Sequence, residues 1–183
     1  MVKLKSKPRW MITAERGKTR AGKETNCMRC MSCEAICSFV KERKVNPELS
    51  RIKIYPKELE WVERKSTRIV TIRICQQCPG IAPCMKACPV KGAIKRDIEW
   101  GTVLVDESKC TGCQECIKAC PFWAIWYDKR NNKIIKCDLC GGEPQCVEWC
   151  PVGVLKFVKV EQGANGVELM VWLGWENPQN RPN

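Results

Sequence analysis

Sixteen cysteines in 183 residues fall into four compact groups, and thiols at this density mean that an ordinary hydrophobic core cannot be the sole organiser. The groups begin at Cys27, Cys75, Cys110 and Cys137. The first and third, CMRCMSCEAIC and CTGCQECIKAC, read C-x2-C-x2-C-x3-C; the second and fourth, CQQCPGIAPCMKAC and CDLCGGEPQCVEWC, hold five residues between their second and third cysteines. Disulfides, zinc and an iron–sulfur cubane compete for such a pattern. Disulfides within runs this short would close strained rings. Zinc usually takes two separated C-x2-C knuckles, each giving two corners of a tetrahedron. The C-x2-C-x2-C-x3-C run is instead the bacterial ferredoxin arrangement, in which three close thiolates wrap one cube and the fourth ligates another. The chain has no His, which excludes imidazole-ligated Rieske-type centres.

The residues between and after the cysteines serve the same end. Cys88, Cys120 and Cys150 are each followed by Pro, whose fixed φ and missing N–H end the short helical turn that presents the fourth thiolate. Cys37 is followed by Ser38, so the exit from the first group is expected to be less fixed. In the longer groups, PGIAP and GGEPQ make loops that can bulge around a cluster. Gly80 and Gly141 there can take the positive φ that turns N–H groups toward sulfur.

A net charge of +12 counts every cysteine as neutral. As ligands, sixteen thiolates remove sixteen charges and four cores of about +2 each restore eight, leaving about +4 when oxidised. Much of the basic excess therefore offsets clusters and does not argue for nucleic acid. The N-terminal stretch is rich in Lys and Arg but shows no apolar signal region, Arg-Arg pair or small-residue cleavage site. No apolar run approaches the ~20 residues that span a bilayer. The expectation is a cytoplasmic protein, where thiols stay reduced and available to metal. A basic arm over residues 1–26 would dock on an acidic partner or lie solvated.

Strand candidates at 100–106, 122–128, 133–136 and 154–160 surround the groups, and the phrases PVKGAI, PFWAI and PVGVL repeat after the prolines. The expected fold is α+β, tandem bacterial ferredoxin-like modules of two clusters each with a β-rich insertion. Residues 27–37 with 121–160 would form an outer module and 75–120 an inner one. The insertion is 38–74, with RIKIY and RIVTIRI as strands around a helix at KELEWVERK; 161–183 holds a last strand near VELMVWL and a polar tail. No G-x-G-x-x-G, Walker loop or radical-SAM signature is present, Val40 and Lys91 standing where a third cysteine of the last would fall, so catalysis is expected on another chain.

With its four groups spanning residues 27–151, the chain resembles the four-cluster ferredoxin-like electron-transfer subunits found beside molybdenum and tungsten pterin enzymes and some hydrogenases. The phrase CEAICS followed by NPELSRIKI is similar to the small iron–sulfur subunit of tungsten aldehyde oxidoreductases of the aldehyde:ferredoxin oxidoreductase family. The corresponding subunit of a formate dehydrogenase, a related molybdopterin reductase or a hydrogenase is the alternative, with a free polyferredoxin behind it. The resemblance implies four 4Fe-4S clusters, a catalytic pterin-metal partner, a ferredoxin or other redox subunit as second partner, and nested ligation. Cys27, Cys30, Cys33 and Cys150 would share one cluster, and Cys37, Cys137, Cys140 and Cys146 a second. Cys75, Cys78, Cys84 and Cys120 would share a third; Cys88, Cys110, Cys113 and Cys116 a fourth. Pairing of neighbouring groups, one with two and three with four, stays open at the level of sequence.

Two finer expectations concern side chains near the cysteines. Lys86 and Lys118 precede the last cysteines of groups two and three, whereas Glu34 and Glu148 lie in groups one and four. A positive neighbour favours the reduced cluster, so the middle pair is expected at higher potential unless these charges are screened. Trp123, Trp126 and Trp149 are expected to shield sulfur as packing rather than as electron relays.

Overall fold

The computed structural model describes residues 9–15, 17, 18, 22, 24–56 and 70–160. The helix expected at 57–65 and the strand expected near 167–173 lie outside these residues. Strand β1 (Arg9–Ala14) is followed by the two-residue strands β2 (Gly17–Lys18) and β3 (Glu24–Thr25), helix α1 (Ser32–Glu42), and the hairpin strands β4 (Ile52–Pro56) and β5 (Val70–Ile74). Helix α2 (Pro83–Ala87), strands β6 (Ile94–Arg96) and β7 (Val103–Val105), and helix α3 (Glu115–Lys118) come next. Strands β8 (Ile125–Asp128) and β9 (Lys133–Lys136), helix α4 (Gln145–Glu148) and strand β10 (Leu155–Val160) complete the order. The strands pair antiparallel in twos: β1 with β10, β2 with β3, β4 with β5, β6 with β7 and β8 with β9. These are the small sheets and short helices of ferredoxin-like domains.

The first and last described strands, β1 and β10, pair so that Ile12 faces Phe157 and Trp10 faces Lys159. Within the expected arm, Arg9–Ala14 is therefore a sheet strand rather than a solvated tail. Its apolar side chains are the cause: Met11 is 1% and Ile12 0% exposed. Trp10 stacks on Phe157 with ring centroids 4.7 Å apart and meets the edge of Trp100 at 5.9 Å. The insertion is likewise built into the core. Ile52, Ile54, Ile72 and Ile74 alternate inward on β4 and β5 and are buried among the cysteines, as period-two strands require.

Proline placement sets the helices. Pro83 opens α2 at its first turn and Pro144 precedes α4 as its N-cap, so each longer cysteine loop ends where a helix begins. Helices α2, α3 and α4 stop just before Cys88, Cys120 and Cys150, whose following residue is Pro. Ser38 imposes no such stop. Helix α1 runs on to Glu42, and Arg43, left-handed at φ 56°, closes it by donating its N–H to the Phe39 carbonyl at 2.8 Å. The first exit is thus fixed by a continuing helix. Helix α1 packs against α4, and α2 against α3. Among the described residues no helix is long and apolar enough to cross a membrane.

Candidate iron–sulfur centres

Every cysteine group makes its second thiol available by the same backbone device. The residue just before it is left-handed: Arg29 at φ 57°, Gln77 at 48°, Gly112 at 71° and Leu139 at 57°. Such turns point successive N–H groups into one concavity, a natural cradle for negative charge. Gly80 and Gly141, at φ 59° and 68°, take the left-handed conformation expected of the bulged loops. Sulfur accepts backbone N–H groups directly, in one of these turns and elsewhere. Gln77 N–H donates to Cys75 Sγ at 3.4 Å, Arg51 N–H to Cys37 Sγ at 3.2 Å, and Val154 N–H to Cys150 Sγ at 3.3 Å.

None of the sixteen cysteines is disulfide-bonded, and three cavities gather twelve of them. Cys27, Cys30, Cys33 and Cys150 line a recess of about 360 Å³ out to solvent, walled by Ile54, Ile72 and Leu155. Cys37, Cys137, Cys140 and Cys146 line one of about 300 Å³, with Ile12, Ile52 and Ile74. Cys75, Cys78, Cys84 and Cys120 line one of about 310 Å³, with Val103, Phe122 and Lys136. Each recess joins cysteines from two distant segments. For the remaining four, Cys116 is buried and feels the charges of Cys110 and Cys113, and Cys88 follows α2 where that helix packs on α3. Among the described residues no three Cys, Asp or Glu side chains converge tightly enough to hold one metal ion. A single zinc draws sulfur to about 2.3 Å, whereas a cubane offers each thiolate its own iron and a wider spread. The donor sets, the N–H cradles and the recesses fit a cluster of that kind.

Electrostatics links the sets in order. Burial, then the charge of Cys84, then those of Cys110 and Cys113 push the Cys116 thiol up to about 12. Burial and then Cys75 push Cys137 up, and burial pushes Cys146 up with help from Cys137, Cys37, Cys140 and Cys33. The charges of Cys84 on Cys116, Cys75 on Cys137 and Cys33 on Cys146 thus act between one cysteine group and the next. Cys30 and Cys113 are exposed, while the other fourteen cysteines are buried or half-buried.

The flanking charges sit differently from the sequence expectation. Lys118 is 72% exposed and pairs with Glu115 at 2.6 Å, and Lys86 and Glu148 are also exposed, so water screens them. Glu34 alone of the four is buried, its carboxylate accepting the Ile54 N–H at 2.5 Å. Lys41 reaches Asp138 at 2.6 Å; burial works against the carboxylate, but the lysine outweighs it and holds Asp138 below its ordinary value. The tryptophans stay at the rim. Trp123 lies under the Arg73 guanidinium at 4.6 Å, Trp126 under Lys53 Nζ at 5.4 Å, and Trp149 is 58% exposed.

Sequence reasoning missed two features. The interior Lys136 carried no signal beyond its place before Cys137, and the cluster of Trp10, Trp100 and Phe157 joins residues far apart in the chain.

Comparison with known proteins agrees with this chemistry. The 4Fe-4S dicluster domain matches residues 67–160 and the 4Fe-4S binding domain matches residues 24–40. The thiosulfate reductase electron transfer subunit PhsB of Salmonella typhi is 33% identical over 159 residues, covering 82% of this chain and 78% of that protein. The polyferredoxin-like subunit of the aliphatic sulfonate oxidoreductase of Pyrococcus furiosus is 39% identical over 124 residues, 68% of this chain and 66% of that one. The probable anaerobic dimethyl sulfoxide reductase chain YnfG of Escherichia coli is 34% identical over 151 residues, covering 75% and 71%. The chain belongs to the 4Fe-4S dicluster family of ferredoxin-like electron-transfer subunits.

Proposed function

We propose that the chain holds four 4Fe-4S clusters in a row, in the nested sets 27/30/33/150, 37/137/140/146, 75/78/84/120 and 88/110/113/116. It would relay single electrons to or from a catalytic tungsten or molybdenum pterin subunit in the cytoplasm. A ferredoxin or other redox protein would meet the opposite end. The observation that carries this reading is the set of three recesses, each lined by four cysteines from two segments. The packing of α1 on α4 and of α2 on α3 supports the same nesting.

A bound cluster supplies a one-electron couple; the chain's own residues supply the rest. Isoleucines of β4 and β5 exclude water, N–H groups donate to sulfur, and the fold leaves Cys30 and Cys113 exposed. A relative is named as an electron transfer subunit, so the chain would act as a subunit and not as an enzyme by itself.

For the partner, the phrase at Cys33–Ser38 and Asn46–Ile54 favours the tungsten aldehyde oxidoreductase type. The names of the relatives, a thiosulfate reductase and a dimethyl sulfoxide reductase, favour a molybdopterin reductase as the second reading. Anaerobic affinity purification of the chain from its native cells tests the proposal. A larger subunit should co-purify, with tungsten on the first reading and molybdenum on the second. A chain that purifies as a cluster-loaded monomer without either metal is a free polyferredoxin.

A further inference from the structure

Lys136 places a cation in an interior made of thiols. Its side chain is 6% exposed, on β9 immediately ahead of Cys137. Nζ donates to the carbonyl oxygens of Val103 and of Cys137, the latter at 3.0 Å, and lies 3.5 Å from Gln77 Oε1. Gln77, itself fully buried, is locked in turn: Oε1 accepts the Val103 N–H at 2.9 Å and Nε2 donates to the Cys137 carbonyl at 3.1 Å. Three neutral oxygens thus orient an ammonium whose desolvation is costly unless negative charge compensates it. Methionine would fill the same space without that cost.

The compensating charge is on sulfur. Burial opposes the ammonium, and Cys75, Cys137 and Cys84 are the groups whose charges act in its favour. Two of these belong to one recess and the third to the next, and the Lys136 side chain lines the first, that of Cys75, Cys78, Cys84 and Cys120. Four thiolates around a core of about +2 carry about −2, and one more negative charge after gaining an electron. Near Cys78 of the same recess, Arg96 donates to the carbonyls of Cys78 and of Gly80, the latter at 2.9 Å. The charges of Cys78, Cys75 and Cys84 act on it too. At the end of the row, by contrast, Cys33 has the buried carboxylate of Glu34 beside it.

We propose that Lys136, together with Arg96, is a potential-setting residue that makes the 75/78/84/120 centre the highest in potential of the four, so that an electron entering the row settles there first. One electron arrives from a neighbouring centre or an external low-potential reductant; no proton moves and no bond changes. A fixed cation a short distance away in low dielectric lowers the energy of the form with the extra negative charge. This rests on the four-cluster reading of the previous subsection.

Anaerobic redox titration of the full loaded chain, followed by EPR with dithionite as reductant, tests the inference on wild type, Lys136→Met, Lys136→Arg and Arg96→Gln. Iron and acid-labile sulfide per chain report separately on the four-cluster reading. In Lys136→Met the highest midpoint should fall by at least a tenfold change in the reduction equilibrium, about 59 mV for one electron, with the lowest midpoint unmoved. Lys136→Arg should restore most of it, and Arg96→Gln should lower the same midpoint by less. A fully loaded Lys136→Met chain with an unchanged highest midpoint overturns the inference. Should Lys136→Met fail to load, Arg96→Gln decides: a lowered highest midpoint supports the inference and an unchanged one overturns it.

Discussion

At the scale of single residues, backbone conformation does as much as thiol chemistry. Gly142 sits at φ +100°, and a Cβ there would lie 2.5 Å from the Trp100 ring. Gly142→Ala should cost about 1–3 kcal/mol, since a ring packed in place cannot yield cheaply; the denaturant midpoint of the loaded chain reads it. Glu34 is a second such position. Removing its carboxylate in Glu34→Ala leaves the Ile54 N–H without the acceptor it meets at 2.5 Å, at about 1–3 kcal/mol. The same unfolding measurement checks that value. Of the four left-handed turns before the second cysteines, glycine marks only Gly112; Arg29, Gln77 and Leu139 take positive φ without any residue type announcing it. The cysteine spacing was therefore readable, while the backbone that presents the thiols was not, because tertiary packing overrides local preference there.

Elements show a similar division. Pro89, Pro121 and Pro151 mark where short helices end, and the spacing of Ile and Val marked the strands around them. The pairing of β1 with β10 was invisible, since its basic setting reads as a solvated tail and its partner strand is at the other end of the chain. That strand matters to a centre. Ile12 is fully buried and lines the recess of Cys37, Cys137, Cys140 and Cys146. Ile12→Ala should cost about 2–5 kcal/mol and speed bleaching of the brown chromophore in air, measured by absorbance decay against wild type.

For the whole molecule, metal loading adds to the stability of the fold. Without metal, burial first and neighbouring thiols second push Cys33, Cys78 and Cys116 up to about 12 and Cys84 up to about 11 from an ordinary 9.0. Values raised in the folded state mean that these groups favour the fold fully below about pH 9 and withdraw that support as pH climbs through 11 to 12. The metal-free chain should therefore unfold at lower urea concentration at pH 10 than at pH 7. The loaded chain should instead weaken toward acid, where protons compete with iron for thiolate. The pairing of α1 with α4 and the lining of two of the recesses join segments a hundred residues apart, which no local pattern in a single sequence reports.

Native mass spectrometry of the anaerobically loaded chain tests the central claim most directly, because it counts inorganic cofactors on one polypeptide. The account predicts a principal species heavier than the bare chain by four Fe4S4 units, about sixteen irons and sixteen sulfides. A principal species carrying zinc ions, or saturating at two Fe4S4 units, would contradict it.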